Sequence, residues 1–330
     1  MPDSFPLLVF IIVIAIGFGI VNGFNDAANA IATVIGTRTL SPRAAIIMAA
    51  LFNFAGAATG KAVAVTIGKG IVSPEALTFT TVIAGTGAAI IWGLLATYYG
   101  MPISLTHCLV AGLVGAGIAT SGSSSIVWKV LTRVLSAVGI APLLGFIGGL
   151  LGMILIMWLF RRSTPDRVRG IFSNLQILSA AFVAYSHGKN DGQMPIGLIS
   201  MALMLYFGWG EFRIPFWVIV VSAVSISLGT ALGGWRVIRT VGLKITTLRP
   251  ASGFAAQGSA ATVIEIASHL GIPVSTTHCI SSSVMGVGAT RRLSAVRWGI
   301  AGDIVLAWIL TFPICGFLGW LLSQFLKIIF

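Results

Sequence analysis

Two stretches decide how this chain folds: Gly100-Met101-Pro102-Ile103-Ser104-Leu105-Thr106-His107-Cys108 and Gly271-Ile272-Pro273-Val274-Ser275-Thr276-Thr277-His278-Cys279. They are one motif written twice, 171 residues apart. Residues 87–117 set against 258–288 share 11 identities in 31 positions. Other blocks recur in the same order. Gly23-Phe24-Asn25-Asp26 returns as Gly188-Lys189-Asn190-Asp191, Thr66-Ile67-Gly68 as Thr240-Val241-Gly242, and Pro142-x-x-Gly145-Phe146-x-Gly148 as Pro313-x-x-Gly316-Phe317-x-Gly319. Self-similarity at offsets of 165, 171 and 174 residues, in one order, marks a duplicated architecture.

The surroundings of these blocks are apolar. Of 330 residues, 57% are hydrophobic and 8% charged, against roughly 25% charged in an average soluble domain. That excludes a soluble enzyme, a disordered chain and a nucleic-acid binder. Cys108, Cys279 and Cys315 lie inside apolar runs and give no disulfide framework. The first five residues carry Asp3 and no Lys or Arg, so there is no basic region of a signal peptide and the first apolar run reads as a retained span.

A membrane-crossing helix needs about 20 apolar residues. Ten segments qualify: 5–35, 43–60, 77–98, 101–120 and 138–160, then 171–206, 215–234, 251–270, 273–290 and 299–326. The chain therefore reads as an all-α polytopic membrane protein. Its two repeats are 1–160 and 171–330, joined by a short cytoplasmic linker, 161–170. Five spans per repeat is an odd number, so the second copy starts on the opposite side and the repeats are inverted. Segments 5–35 and 171–206 exceed one straight crossing, and each contains a polar stretch expected to break it. Inverted repeats with broken helices, re-entrant pieces and half-helices are a transporter plan, with the site near the midplane.

Basic residues orient the chain. With the N-terminus outside, the inside loops hold Arg38, Arg43, Arg161, Arg162, Arg167, Arg169, Arg236, Arg239, Lys244, Arg249, Arg291, Arg292 and Arg297. The outside holds Lys61, Lys69, Lys129, Arg133, Arg213 and Lys327, which leaves Lys189 inside a span. The net charge of +12 is then mainly topology, and both termini are expected outside.

Asp26 and Asp191 are intramembrane carboxylates in equivalent positions. Such groups are costly in a bilayer and mark function by default, the bland alternative being a helix-helix hydrogen bond. With Asn25, Asn29 and Asn190 they form a hard, oxygen-rich set suited to a proton, Na⁺, Mg²⁺ or Ca²⁺. Asp26 and Asp191 are the candidates for a metal. Pro102 and Pro273 each stand before a Ser/Thr cluster, which signals a helix N-terminus. Ser104, Thr106, Ser275, Thr276 and Thr277 then supply hydroxyls beside free amides, a ready anion site. Plain capping is the alternative. An anion next to two carboxylates is repelled, so a proton, Na⁺ or metal has to accompany it.

Secondary candidates are His107, His187 and His278, which can bind anion or relay a proton, with His187 the best relay. Lys189 is expected either to pair with Asp191 or to attract the anion. Asn53 is placed along the path, and Glu265 and Asp303 are expected to pair with loop arginines.

These blocks resemble the inorganic phosphate transporter (PiT) family. Its mark is a duplicated G-x-N-D-x-x-N-A motif, here Gly23 to Ala30 and Gly188 to Pro195. A P-V-S-T-T-H segment accompanies it, here Pro273 to His278 and less closely Pro102 to His107. The resemblance spans nearly the whole chain and looks closest to bacterial low-affinity phosphate permeases. It implies a symporter in the cytoplasmic membrane with inorganic phosphate, a coupling cation and the lipid bilayer as partners, and no covalent cofactor. A homo-oligomer stays open. In that group the coupling ion is a proton, often with phosphate carried as a neutral metal complex; other branches use Na⁺ or carry sulfate. The chain departs from the pattern at Met194-Pro195, where Asn-Ala would complete the second motif. Asn53 and Gln257 stand where Na⁺-coupled members carry Glu, which favours protons or a metal complex.

Three rivals differ by class or solute. A sulfate carrier shares the plan. An intramembrane Ser/His hydrolase is opposed by the duplication, since catalysis needs one asymmetric nucleophile–base pair. A channel would show flux that neither saturates nor depends on a cation.

Overall fold

The computed structural model describes residues 5–73 and 76–329. They form thirteen α-helices joined by short connections. In the first half these are α1 (Phe5–Gly36), α2 (Pro42–Ala58), α3 (Ala62–Gly70), α4 (Phe79–Tyr99), α5 (Leu105–Ser121) and α6 (Trp128–Leu159). The second half holds α7 (Pro165–Asp191), α8 (Gln193–Phe207), α9 (Phe216–Leu232), α10 (Trp235–Arg239), α11 (Pro250–His269), α12 (Thr276–Ala289) and α13 (Trp298–Ile329).

Helix starts follow the local chemistry. Ser41, Thr78, Ser104 and Ser275 are N-caps whose side-chain oxygens accept from the amides of Ala44, Thr81, His107 and His278. Each thereby satisfies one of the amides that a helix end leaves without a partner. Gly100 and Gly271 end α4 and α11 with φ of +70° and +68°, a left-handed conformation that glycine adopts without steric cost. After each, the chain runs extended for four residues, 101–104 and 272–275, before α5 and α12 begin.

The molecule is polar inside and apolar outside. Leu135, Leu143, Leu151, Leu306 and Ile309 are exposed on α6 and α13, while Asn22, Asn25, Asp26, Asn29, Asn190 and Asp191 are buried. That inversion suits a hydrocarbon solvent. Four helices are long and apolar enough to cross a membrane, α1, α4, α6 and α13. The count rises to six when two bent pairs are each taken as one span: α2 with α3, bent by 71°, and α9 with the α10 segment, bent by 62°. The sequence predicts about five spans per repeat, with broken and half-helical pieces among them. The shortfall comes from helices such as α5, with 17 residues, and α12, with 14. At about 1.5 Å per residue both fall short of a roughly 30 Å hydrocarbon core. Helices α3 and α10 were not anticipated, because each is too short to show a helical period.

The expected break in the first motif is absent. Helix α1 runs unbroken through Asn22–Asn29. A Cβ on Gly23 would collide with the carbonyl of Ile226 in α9, so this glycine permits backbone-to-backbone packing rather than unwinding. Gly188 sits in the same way against the carbonyl of Asn53 in α2. The second motif ends in a single turn residue, Gly192, whose amide still donates to the Gly188 carbonyl at 2.9 Å. Four of the five most extensive helix pairs cross the halves, α1 on α9, α2 on α7, α5 on α13 and α6 on α12, and the fifth, α7 on α11, lies within the second half.

Candidate functional site

The packing of α1 and α7 with the start of α12 brings six expected residues into one buried cluster. Thr277 Oγ1 donates to Asp26 Oδ1 at 2.9 Å. Thr276 Oγ1 lies 3.4 Å from Asp26 Oδ2 and 3.3 Å from Asp191 Oδ2. Asn29, one helical turn after Asp26, donates from Nδ2 to Thr276 Oγ1 at 3.0 Å and to Thr277 Oγ1 at 3.1 Å. His187 Nε2 stands 3.2 Å from Asp191 Oδ2 and 3.7 Å from Asp26 Oδ2. All six side chains are at most 2% exposed.

The imidazole is held from behind. His187 Nδ1 lies 2.7 Å from Asn53 Oδ1, and Asn53 Nδ2 donates to Thr230 Oγ1 at 2.8 Å. This fixes the ring with Nε2 turned to the carboxylates. Thr230, near the end of α9, was not picked out in the sequence; only its polarity within an apolar segment could have marked it.

One carboxylate oxygen from each aspartate and one His187 nitrogen lie within 4.8 Å of one another. The set can hold a cation or share a proton. On the opposite side, the amides of Thr276 and Thr277 occupy the first turn of α12, where no helical partner exists for them. Their dipoles and the two hydroxyls favour an anion. Cation and anion chemistry thus meet at the same two threonines.

The duplication is not preserved here. Thr276 aligns with Leu105, and Asn29 aligns with Met194. Asp191 therefore lacks counterparts of Asn29 and of the second threonine; its own neighbour Asn190 donates to it instead, and the Thr-rich side of the cluster forms at one of the two related positions.

Asn190 adjoins the cluster, its Nδ2 donating to Asp191 Oδ1; the other candidates lie apart from it. Ser104 and Ser275 serve as caps. Thr106 Oγ1 donates to the Val274 carbonyl at 3.2 Å. Asn25 donates to Thr97 Oγ1 at 2.6 Å, which braces α1 on α4. Asn190 donates to the Val274 carbonyl at 2.7 Å, which braces α7 on the extended segment before α12. Gln257 joins three helices, accepting from Ser179 at 2.8 Å and donating to the Ala30 carbonyl at 3.3 Å. The rings of His107 and His278 meet edge to face, 4.8 Å between centroids, and His278 stacks on Trp308 at 3.9 Å.

Lys189 pairs with neither of its expected partners. It forms an ion pair with Glu265 of α11. The i+2 offset from Lys189 to Asp191 puts the two on different faces of α7, and Glu265 is thereby paired with an intramembrane lysine instead of a loop arginine. Asp303 is exposed and has no ion-pair partner among the described residues.

The Phosphate transporter family model matches residues 22–168 and 160–319. The chain belongs to the phosphate transporter family. It is similar to the "Probable low-affinity inorganic phosphate transporter" of Rhizobium meliloti, at 46% identity over 94% of this chain and 93% of that protein. The same name is carried by a Bacillus subtilis relative at 40% identity, covering 98% of each chain. Among solved structures, "The sodium-dependent phosphate transporter" superposes with a TM-score of 0.92 at 28% identity, over 98% of this chain and all of that one. The protein is a multi-pass membrane transporter of this family and not an enzyme.

Proposed function

We propose that this family member is a symporter that imports inorganic phosphate across the cytoplasmic membrane by alternating access between two inverted halves, with a proton as the coupling ion. The observation that carries the reading is His187 Nε2 between two buried carboxylates, at 3.2 and 3.7 Å. A hard cation such as Na⁺ takes oxygen ligands, whereas here an imidazole nitrogen occupies the space between the oxygens. Proton exchange on the Asp26–His187–Asp191 group changes the charge facing Thr276 and Thr277. With the proton bound, the positive end of α12 and the two hydroxyls face an anion without uncompensated repulsion. With it lost, two carboxylates expel the anion.

Sodium coupling is the second reading, favoured by the structural neighbour whose name states sodium dependence. The Asp26 and Asp191 oxygens with the two threonine hydroxyls would then supply hard ligands, and a metal–phosphate complex would use the same atoms.

The solute assignment is tested by competition. Uptake of labelled phosphate by proteoliposomes is expected to saturate, to be blocked by arsenate, and to be untouched by equal sulfate. Sulfate blocking as well as arsenate would turn the assignment to a sulfate carrier, and uptake without saturation would turn it to a channel.

A further inference from the structure

The recurring Thr66-Ile67-Gly68 and Thr240-Val241-Gly242 blocks have no part in the cluster. Thr66 lies on α3, and its hydroxyl donates to the Gly271 carbonyl at 2.7 Å. Thr240 follows α10, and its hydroxyl donates to the Gly100 carbonyl at 2.9 Å. Each bond crosses the halves. Each ties a short helix that follows a sharp bend to the left-handed glycine opening a four-residue extended segment. In the inverted reading of the two halves equivalent elements face opposite sides of the membrane, which assigns the two bonds to opposite sides of the cluster.

A cavity adjoins each bond. One of about 270 Å³ is lined by Thr66, Val130, Arg133, Gly271 and Pro273. The other, of about 230 Å³, is lined by Thr240, Lys244, Gly100, Pro102 and Asp303. Directly beyond Pro273 lies Val274, whose carbonyl accepts from Asn190 beside the cluster. Val274 and its counterpart Ile103 are buried.

Both threonines have an alternative acceptor in their own helical turn. Thr66 Oγ1 is 3.3 Å from the Ala62 carbonyl, and Thr240 Oγ1 is 3.1 Å from the Arg236 carbonyl. Releasing the cross-half bond therefore leaves each hydroxyl with a partner, and each glycine already lines the adjoining cavity.

We propose that the two cavities are the opposite mouths of the anion's route, and that Thr66–Gly271 and Thr240–Gly100 are latches that close them, one released at a time. The Arg133 mouth carries a cation alone among its lining residues, whereas the other mouth is lined by both Lys244 and Asp303. The Arg133 mouth therefore attracts an oxyanion more strongly. The proposal rests on the transport reading, and a side-specific labelling experiment tests it separately.

Single cysteines replace Ile103 or Val274 in a full-length chain whose buried Cys108, Cys279 and Cys315 are changed to alanine and which still takes up phosphate. A membrane-impermeant thiol reagent is applied to each face of oriented vesicles. Thr66→Val is expected to raise labelling of V274C from one face about tenfold and leave I103C unchanged. Thr240→Val should do the converse from the other face. Thr66→Ser and Thr240→Ser, which keep the hydroxyl, should label as the parents do. Equal effects on both reporters, no effect on either, or serine variants that label like the valine ones would overturn the latches. The side-specific pattern in a parent whose phosphate uptake neither saturates nor responds to an imposed cation gradient would sink the symport reading and leave the latches standing.

Discussion

At the residue scale, Asp26 and Asp191 are equivalent in sequence and unequal in surroundings. Asp26 receives the Thr277 hydroxyl at 2.9 Å and shares Thr276 with Asp191. Hydrogen bonds to charged groups contribute roughly 1.5–3 kcal/mol. Thr277→Val keeps shape and removes the donor, so kcat/KM for phosphate is expected to fall about tenfold to a hundredfold; an unchanged value would remove Thr277 from the site. Asp26→Asn should abolish coupled uptake while the protein still inserts, which fractionation and uptake on one preparation would check. His187→Gln keeps a polar side chain beside Asn53 but gives up the titrating imidazole. Uptake by that variant should lose its response to an imposed pH gradient, and a full response would assign the proton elsewhere.

These residues were legible to different degrees. Asp26, Asn29, Asp191, Thr276 and Thr277 stood out because polar groups in an apolar, duplicated chain have few uses. Their grouping was not legible, because it depends on how α12 approaches α1 and α7. The repeat assigns hydroxyls from both Ser/Thr clusters to the anion, yet Leu105 in place of Thr276 and Met194 in place of Asn29 make the arrangement one-sided. The partner of Lys189 was missed for a similar reason: Glu265 lies far along the chain, and the nearer Asp191 points from another face of α7.

At the scale of elements, the glycines of the G-x-N-D motifs act through packing. Gly23 faces the Ile226 carbonyl and Gly188 the Asn53 carbonyl, backbone groups that cannot swing aside. An added methyl must push α9 or α2 away, and overpacking of this kind costs about 1–3 kcal/mol. Gly188→Ala is expected to lower the melting temperature of the purified protein and to weaken uptake, since Asn53, the support of His187, lies at the contact. Equal melting temperature and uptake would show that the site accepts a methyl group and would remove the close-packing role. The ends of α4, α5, α11 and α12 were readable from Gly, Pro and Ser within a few residues. The continuity of α1 was not, because a glycine placed for close approach and one placed for a break look alike in a sequence.

At the scale of the molecule, the cross-half pairing of α1 with α9, α2 with α7, α5 with α13 and α6 with α12 makes the two halves one packed unit. The buried cluster lies where α1, α7 and α12 meet, and the two proposed mouths are the cavities beside Gly271 and Gly100. For alternating access to drive import, the charge of that cluster has to change between the two faces, and the His187-centred group is where the charge can change. The most direct measurement is phosphate uptake by purified protein in proteoliposomes under an inward pH gradient or an inward Na⁺ gradient imposed separately, each with and without Mg²⁺. Accumulation driven by the pH gradient without Na⁺ is the predicted result; accumulation driven by Na⁺ alone, with no response to the pH gradient, would contradict it.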